Sequence, residues 1–86
     1  MKISVELTLT PLQDNFELPI IEFIKKLRAA DLTVLENPLS TQVYGEYDKV
    51  MELLQKEIKS TFGSLEHVVL NMKMVKSDRS QYEPHF

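Results

Sequence analysis

The sequence predicts an α+β domain: a four-stranded antiparallel sheet with two helices on one face, in the order β-α-β-β-α-β. Three observations carry this reading. The first residues alternate strictly between polar and apolar, two later stretches repeat their apolar residues at helical spacing, and short extended segments bounded by proline or glycine surround both stretches.

Residues 3–10 form the first strand. Ile3, Val5, Leu7 and Leu9 share one face, and Ser4, Glu6, Thr8 and Thr10 the other. Pro11 ends it, because proline lacks the N–H that a continuing ladder uses. Residues 12–17 are a polar loop in which Asn15 is the expected helix cap. Pro19 suits the first turn of a helix, whose stripe is Ile20, Ile21, Ile24 and Leu27 supported by Phe23. Glu22 and Lys26 are spaced to pair on its wet side, and the helix fades near Ala30-Asp31. Residues 32–37 form a short strand whose faces stay unassigned, since Leu32, Val34 and Leu35 do not alternate. Asn37-Pro38 marks a turn, and residues 39–46 form a third strand closed by Gly45, where backbone freedom is useful. The second helix covers residues 48–61. Its stripe is Tyr47, Val50, Met51, Leu54, Ile58 and Phe62, Glu52 and Lys56 pair on its surface, and Gly63 is the expected stop. The last strand, residues 66–75, places Val68, Leu70, Met72 and Met74 on one face and Val69, Asn71, Lys73 and Val75 on the other. Residues 1–76 thus make one domain of the ferredoxin-like arrangement, with few competing topologies once crossovers are right-handed. Residues 77–86 form a polar tail, ordered only if it docks.

Composition narrows the function. With 86 residues there is room for one small domain, which buries roughly 60–65% of its unfolded surface and gains from oligomerising. Ten Lys and Arg against 13 Asp and Glu leave a net charge of −3, which argues against a general nucleic-acid binder. Cysteine is absent, so disulfides, thiolate metal sites and cysteine nucleophiles are excluded, and a reducing cytoplasm fits. Met1-Lys2 leads directly into alternation, so no signal peptide is expected. No apolar run approaches the roughly 18–20 residues of a membrane helix, so no membrane partner is expected either.

No catalytic or metal-binding set emerges. The chain has two glycines, 18 positions apart, and no phosphate-binding loop. His67 and His85 lack partners at metal-ligand spacing, and His67 reads as a strand-edge surface residue. RNA binding through the sheet would need a platform of stacking aromatics with basic flanks, and the polar faces of the first strand (Ser4, Glu6, Thr8) and of the last (Asn71, Lys73) do not supply one. That polar face is the informative feature. Ser4, Glu6 and Thr8 on the first strand approach Asn71 and Lys73 on the last. They form either a solvated surface with a weak Glu6–Lys73 pair, or a contact for a second subunit that encloses polar groups needing partners. In the second case Val69, Val75 and Tyr44 are the contact residues. The segment 37–46 adds Ser40 and Thr41, whose hydroxyls either cap a turn or serve a ligand.

The opening strand closing in Pro11-Leu12, and the run Asn37-Pro38-Leu39-Ser40-Thr41-Gln42-Val43-Tyr44-Gly45-Glu46-Tyr47-Asp48-Lys49-Val50-Met51, resemble the YkoF-like thiamine/hydroxymethylpyrimidine-binding family. The likeness spans nearly residues 2–76. Relatives often have glycine where Ser40 stands and an acidic residue where Tyr44 stands. The resemblance implies non-catalytic binding of thiamine or its hydroxymethylpyrimidine moiety, without a cofactor, by a homodimer or homotetramer joined through its sheets. The ligand-binding positions it implies are Glu6, Thr8, Ser40 and Thr41. Chemically, Glu6 accepts from the aminopyrimidine amine, Thr41 donates to a ring nitrogen, Tyr44 walls the ring, and a mildly acidic pocket favours the thiazolium cation. The alternative expectation is a structural or regulatory interaction module that uses its open sheet face and has no small ligand.

Overall fold

The structure, a computed structural model, describes residues 1–85. The period-two alternation becomes β1 (Lys2–Pro11), a ten-residue strand that keeps Pro11 as its final member. Leu12 N–H still donates to the His67 carbonyl at 2.9 Å, so the ladder ends one residue after the proline. α1 (Glu17–Arg28), β2 (Thr33–Glu36), β3 (Thr41–Glu46), α2 (Tyr47–Ser64) and β4 (Val68–Val75) follow in the predicted order. The strands lie β2-β3-β1-β4, and every neighbouring pair is antiparallel. This is the ferredoxin-like α+β architecture.

Ile3, Val5, Leu7 and Leu9 of β1 and Val43 of β3 meet Phe23 and Leu27 of α1 and Val50 and Leu54 of α2 in one buried cluster. All the β1 members have the same parity, so both helices cover one face of the sheet and leave the other uncovered. The register settles the faces of β2: Val34 lies opposite Val43 on the helix side, and Leu35 opposite Gln42 on the open side. In β4, Met72 and Met74 share the helix-side parity yet are 46% and 42% exposed. The helix layer packs on β1, β2 and β3 and leaves this edge strand largely uncovered.

Helix ends depart from expectation. Phe16, not Asn15, occupies the N-cap of α1 and makes no side-chain cap bond, while the Asn15 carbonyl accepts from Gln13 Nε2 at 2.8 Å. Gly63 does not stop α2. The helix runs to Ser64, whose hydroxyl donates to the Thr61 carbonyl at 3.0 Å, and leaves helical geometry at Leu65 (φ −118, ψ 143). Among the described residues neither Glu22–Lys26 nor Glu52–Lys56 forms an ion pair. Lys26 Nζ instead donates to Ser60 Oγ at 3.2 Å across the helix pair. An exposed pair gains so little that this alternative competes readily. Gly45 has a φ of +157, which L side chains rarely adopt, and a Cβ there would lie 2.7 Å from Leu32 Cδ2, so that side chain would have to shift.

The tail docks. Ser4 is only 8% exposed although it points to the open face, because residues 77–79 lie across it. The final tail residue, Phe86, lies outside the described residues.

Candidate functional site on the open sheet face

The registers build the open face in rows. Tyr44 of β3, Ser4 of β1 and Val75 of β4 form one row, Gln42, Glu6 and Lys73 the next, and Thr8 with Asn71 a third. Glu6 is therefore at the centre of an uncovered surface, flanked by an amide and an ammonium.

What holds Glu6 begins in the β2–β3 loop. Asn37 Oδ1 accepts from the N–H groups of Leu39 at 2.8 Å and Ser40 at 3.1 Å, and Asn37 N–H donates to the Ser40 carbonyl at 3.1 Å. This is an Asx turn made by asparagine. Because Asn37 closes the turn, the Ser40 hydroxyl is released from capping. It donates to Glu6 Oε2 at 3.0 Å and accepts from Gln42 Nε2 at 2.7 Å. Two elements far apart in sequence thus fix one carboxylate. The Glu6–Lys73 pairing is a register pairing without an ion pair among the described residues, since the carboxylate turns toward Ser40.

Glu6 separates two shallow hollows. One, of about 160 Å³, is lined by Ser4, Glu6, Gln42, Tyr44, Lys73 and Arg79 among others. The other, of about 150 Å³, lies between Glu6, Thr8, Asn71 and Lys73. Of the five residues singled out by sequence, Glu6, Ser40 and Tyr44 gather on this face around Gln42, and Thr8 borders the second hollow. Thr41 does not join them. It starts β3 opposite Leu7, with helix-side parity, and is 7% exposed. Away from the open face it lines a cleft that Thr8 and Ser40 also border, beside Leu9, Ile20, Ile24 and Pro38. Two residues missed by sequence complete the face. Gln42 follows from strand parity, since it alternates with Thr41 and Val43. Arg79 has no periodic signal because it arrives with the tail.

A larger hollow of about 330 Å³ lies on the helix side, between Asp31, Leu32 and the α2 residues Lys49, Glu52, Leu53 and Lys56. It contains no aromatic wall and no carboxylate held by hydrogen bonds. The open sheet face has both features.

No protein-family profile matches the chain, and no curated protein does. Solved structures do. Protein SP2199 from Streptococcus pneumoniae is 25% identical with a TM-score of 0.83, over 91% of this chain and 89% of that one. A Thermotoga maritima protein provisionally described as a thiamine biosynthesis/salvage protein is 18% identical with a TM-score of 0.81, over 90% and 85% of the two chains. A domain of unknown function, DUF77, from Bacillus cereus is 9% identical with a TM-score of 0.74, over 96% and 83%. The chain is similar to these small α+β domains along nearly its whole length, and the likeness establishes the fold.

Proposed function

We propose that this protein binds thiamine or its hydroxymethylpyrimidine moiety on the open sheet face and performs no chemistry on it. The observation that carries the proposal is Glu6: a carboxylate held by the Ser40 hydroxyl, which Gln42 holds in turn, beside an aromatic ring at Tyr44. Glu6 keeps lone pairs free to accept from an exocyclic amine. With Thr41 on the other side of the sheet, the donor to a ring nitrogen becomes the second N–H of Gln42 or the Tyr44 hydroxyl. The thiamine-related description of one structural neighbour supports the same ligand class. Each hollow is smaller than the roughly 300 Å³ at which small-molecule pockets begin, so the reading includes a second copy of the chain as the opposite wall.

Isothermal titration with thiamine and with hydroxymethylpyrimidine tests this. The wild type is expected to bind, and Glu6→Gln to lose about 1–3 kcal/mol of affinity once a second copy encloses the site, because the amide removes the charge and puts a donor where a carboxylate oxygen accepted. Absence of heat at high protein concentration overturns the proposal. A second reading is favoured by Leu35 and Val69, which flank the open face and are each 45% exposed. In that reading the face docks another protein, and no ligand raises the melting temperature.

A further inference from the structure

We propose that the docked tail adds an anion-binding subsite to this face, formed by Arg79 with Lys73, so that the preferred ligand is a phosphate ester. The inference rests on the small-molecule reading of the open face and specifies the charge of what binds there.

The tail is anchored at one buried hydroxyl. Ser4 Oγ donates to the Ser77 carbonyl at 2.6 Å and accepts from Arg79 N–H at 2.8 Å. Glu6 and Thr8, its neighbours on the same face of β1, remain exposed. A compact turn follows, in which Asp78 Oδ1 accepts from Ser80 N–H at 2.9 Å and Ser80 Oγ at 2.6 Å, and Tyr82 N–H reaches the Arg79 carbonyl at 3.2 Å. This path brings Arg79 to the hollow that Tyr44, Glu6 and Lys73 also line.

The guanidinium is oriented. Its Nε–H donates to Ser77 Oγ at 2.7 Å, which leaves the two terminal amino groups and their four N–H bonds available. Among the described residues neither Arg79 nor Lys73 is in an ion pair. The one carboxylate at the hollow, Glu6, already accepts from Ser40. Two cations against one carboxylate give this hollow a positive balance in a chain whose net charge is −3, the reverse of the mildly acidic pocket expected from the sequence. An oriented guanidinium beside an ammonium is the arrangement that recognises phosphate: the first by a planar fork, the second as a point charge. The ring of such a ligand would lie by Tyr44, its amine at Glu6 and its phosphate at Arg79 and Lys73.

Calorimetric titration of the full chain with thiamine, thiamine monophosphate and inorganic pyrophosphate, at low and physiological salt, tests the inference. The monophosphate is expected to bind at least about tenfold more tightly than thiamine, with the advantage shrinking as salt rises. Arg79→Ala should erase that advantage and Arg79→Lys restore part of it. Ser4→Ala, which removes the anchor, should erase it as well. Equal affinity for thiamine and its monophosphate overturns the inference and leaves the thiamine reading intact, as does an advantage that survives Arg79→Ala. Arg79-dependent binding of pyrophosphate without binding of thiamine sustains the subsite and overturns the thiamine reading. No binding of any probe overturns both.

Discussion

Ser4 and Asp78 are the residues that convert a polar tail into ordered structure. A serine hydroxyl on a sheet face is ordinarily satisfied by water. Here it is covered, and its donor and acceptor capacities are both taken by tail backbone, so docking leaves this hydroxyl satisfied. Asp78 stabilises the turn beyond it and has its carboxyl held below the ordinary 3.8. The Ser80 hydroxyl contributes most, then the Ser80 amide, with Lys2 adding a smaller electrostatic effect. The sign follows directly. A carboxyl depressed in the folded state contributes stability that is complete above its unfolded value and is lost as pH falls through the folded one. Hydrogen exchange at the Ser80 amide should therefore stay protected from neutral pH down to about pH 5, then lose protection below about pH 4. Asp78→Asn should flatten that dependence, and a Ser80 amide indifferent to acid in the wild type would sink the assignment.

At the scale of elements, the strands were legible in the sequence and the helix ends were not. Strict alternation in β1 leaves one register that buries Ile3, Val5, Leu7 and Leu9, because a slip by one residue would expose all four. In β2, two adjacent apolar residues stop alternation from choosing a face, and only pairing of Val34 with Val43 decides it. At the site, Glu6, Ser40 and Tyr44 were legible as chemistry, whereas the face that Thr41 takes could not be drawn from its residue type. Parity within β3 would have separated it from Tyr44. Arg79 was illegible, since a docked tail is specified by two hydrogen bonds to Ser4 and by no periodicity. Gly63 was read as a stop from residue type alone, but glycine ends a helix when the chain must turn left-handed, and here it continues helical into Ser64 and then extends at Leu65. That difference has a measurable consequence. A Cβ at Gly63 meets nothing within 4 Å, and no positive φ must be preserved. Gly63→Ala should stabilise the protein by about 0.4–1 kcal/mol by restricting the unfolded chain. A denaturant midpoint that rises without a change in slope would confirm it, and a fall would show that the glycine serves a contact beyond this chain.

At the scale of the molecule, the sheet divides the polar work from the apolar. The helix side carries the core, while the open face carries Glu6, Gln42, Lys73 and the docked tail over two hollows of about 150–160 Å³. The tail covers the end of this face at Ser4 and leaves Glu6 and Thr8 exposed. A ring seated at Glu6 would remain wet on one side, and a hydrogen bond to a wet carboxylate contributes far less than one to an enclosed carboxylate. A second copy of the chain laid against the Glu6–Thr8 end would supply the missing wall and would also cover Leu35 and Val69. Ligand and partner then favour the same assembled state, so each should promote the other by mass action. Sedimentation equilibrium is expected to show association strengthening when thiamine or its monophosphate is added. The melting temperature should rise with protein concentration as well as with ligand, and at saturating ligand about 100-fold above Kd the gain is near 2.7 kcal/mol. Ligand-induced stabilisation that does not vary with protein concentration, with a monomeric mass throughout, would show instead that one chain completes the site. In that outcome the remaining wall must come from the tail, and truncation after Lys76 would lower affinity for every ligand of the face rather than for phosphorylated ones alone.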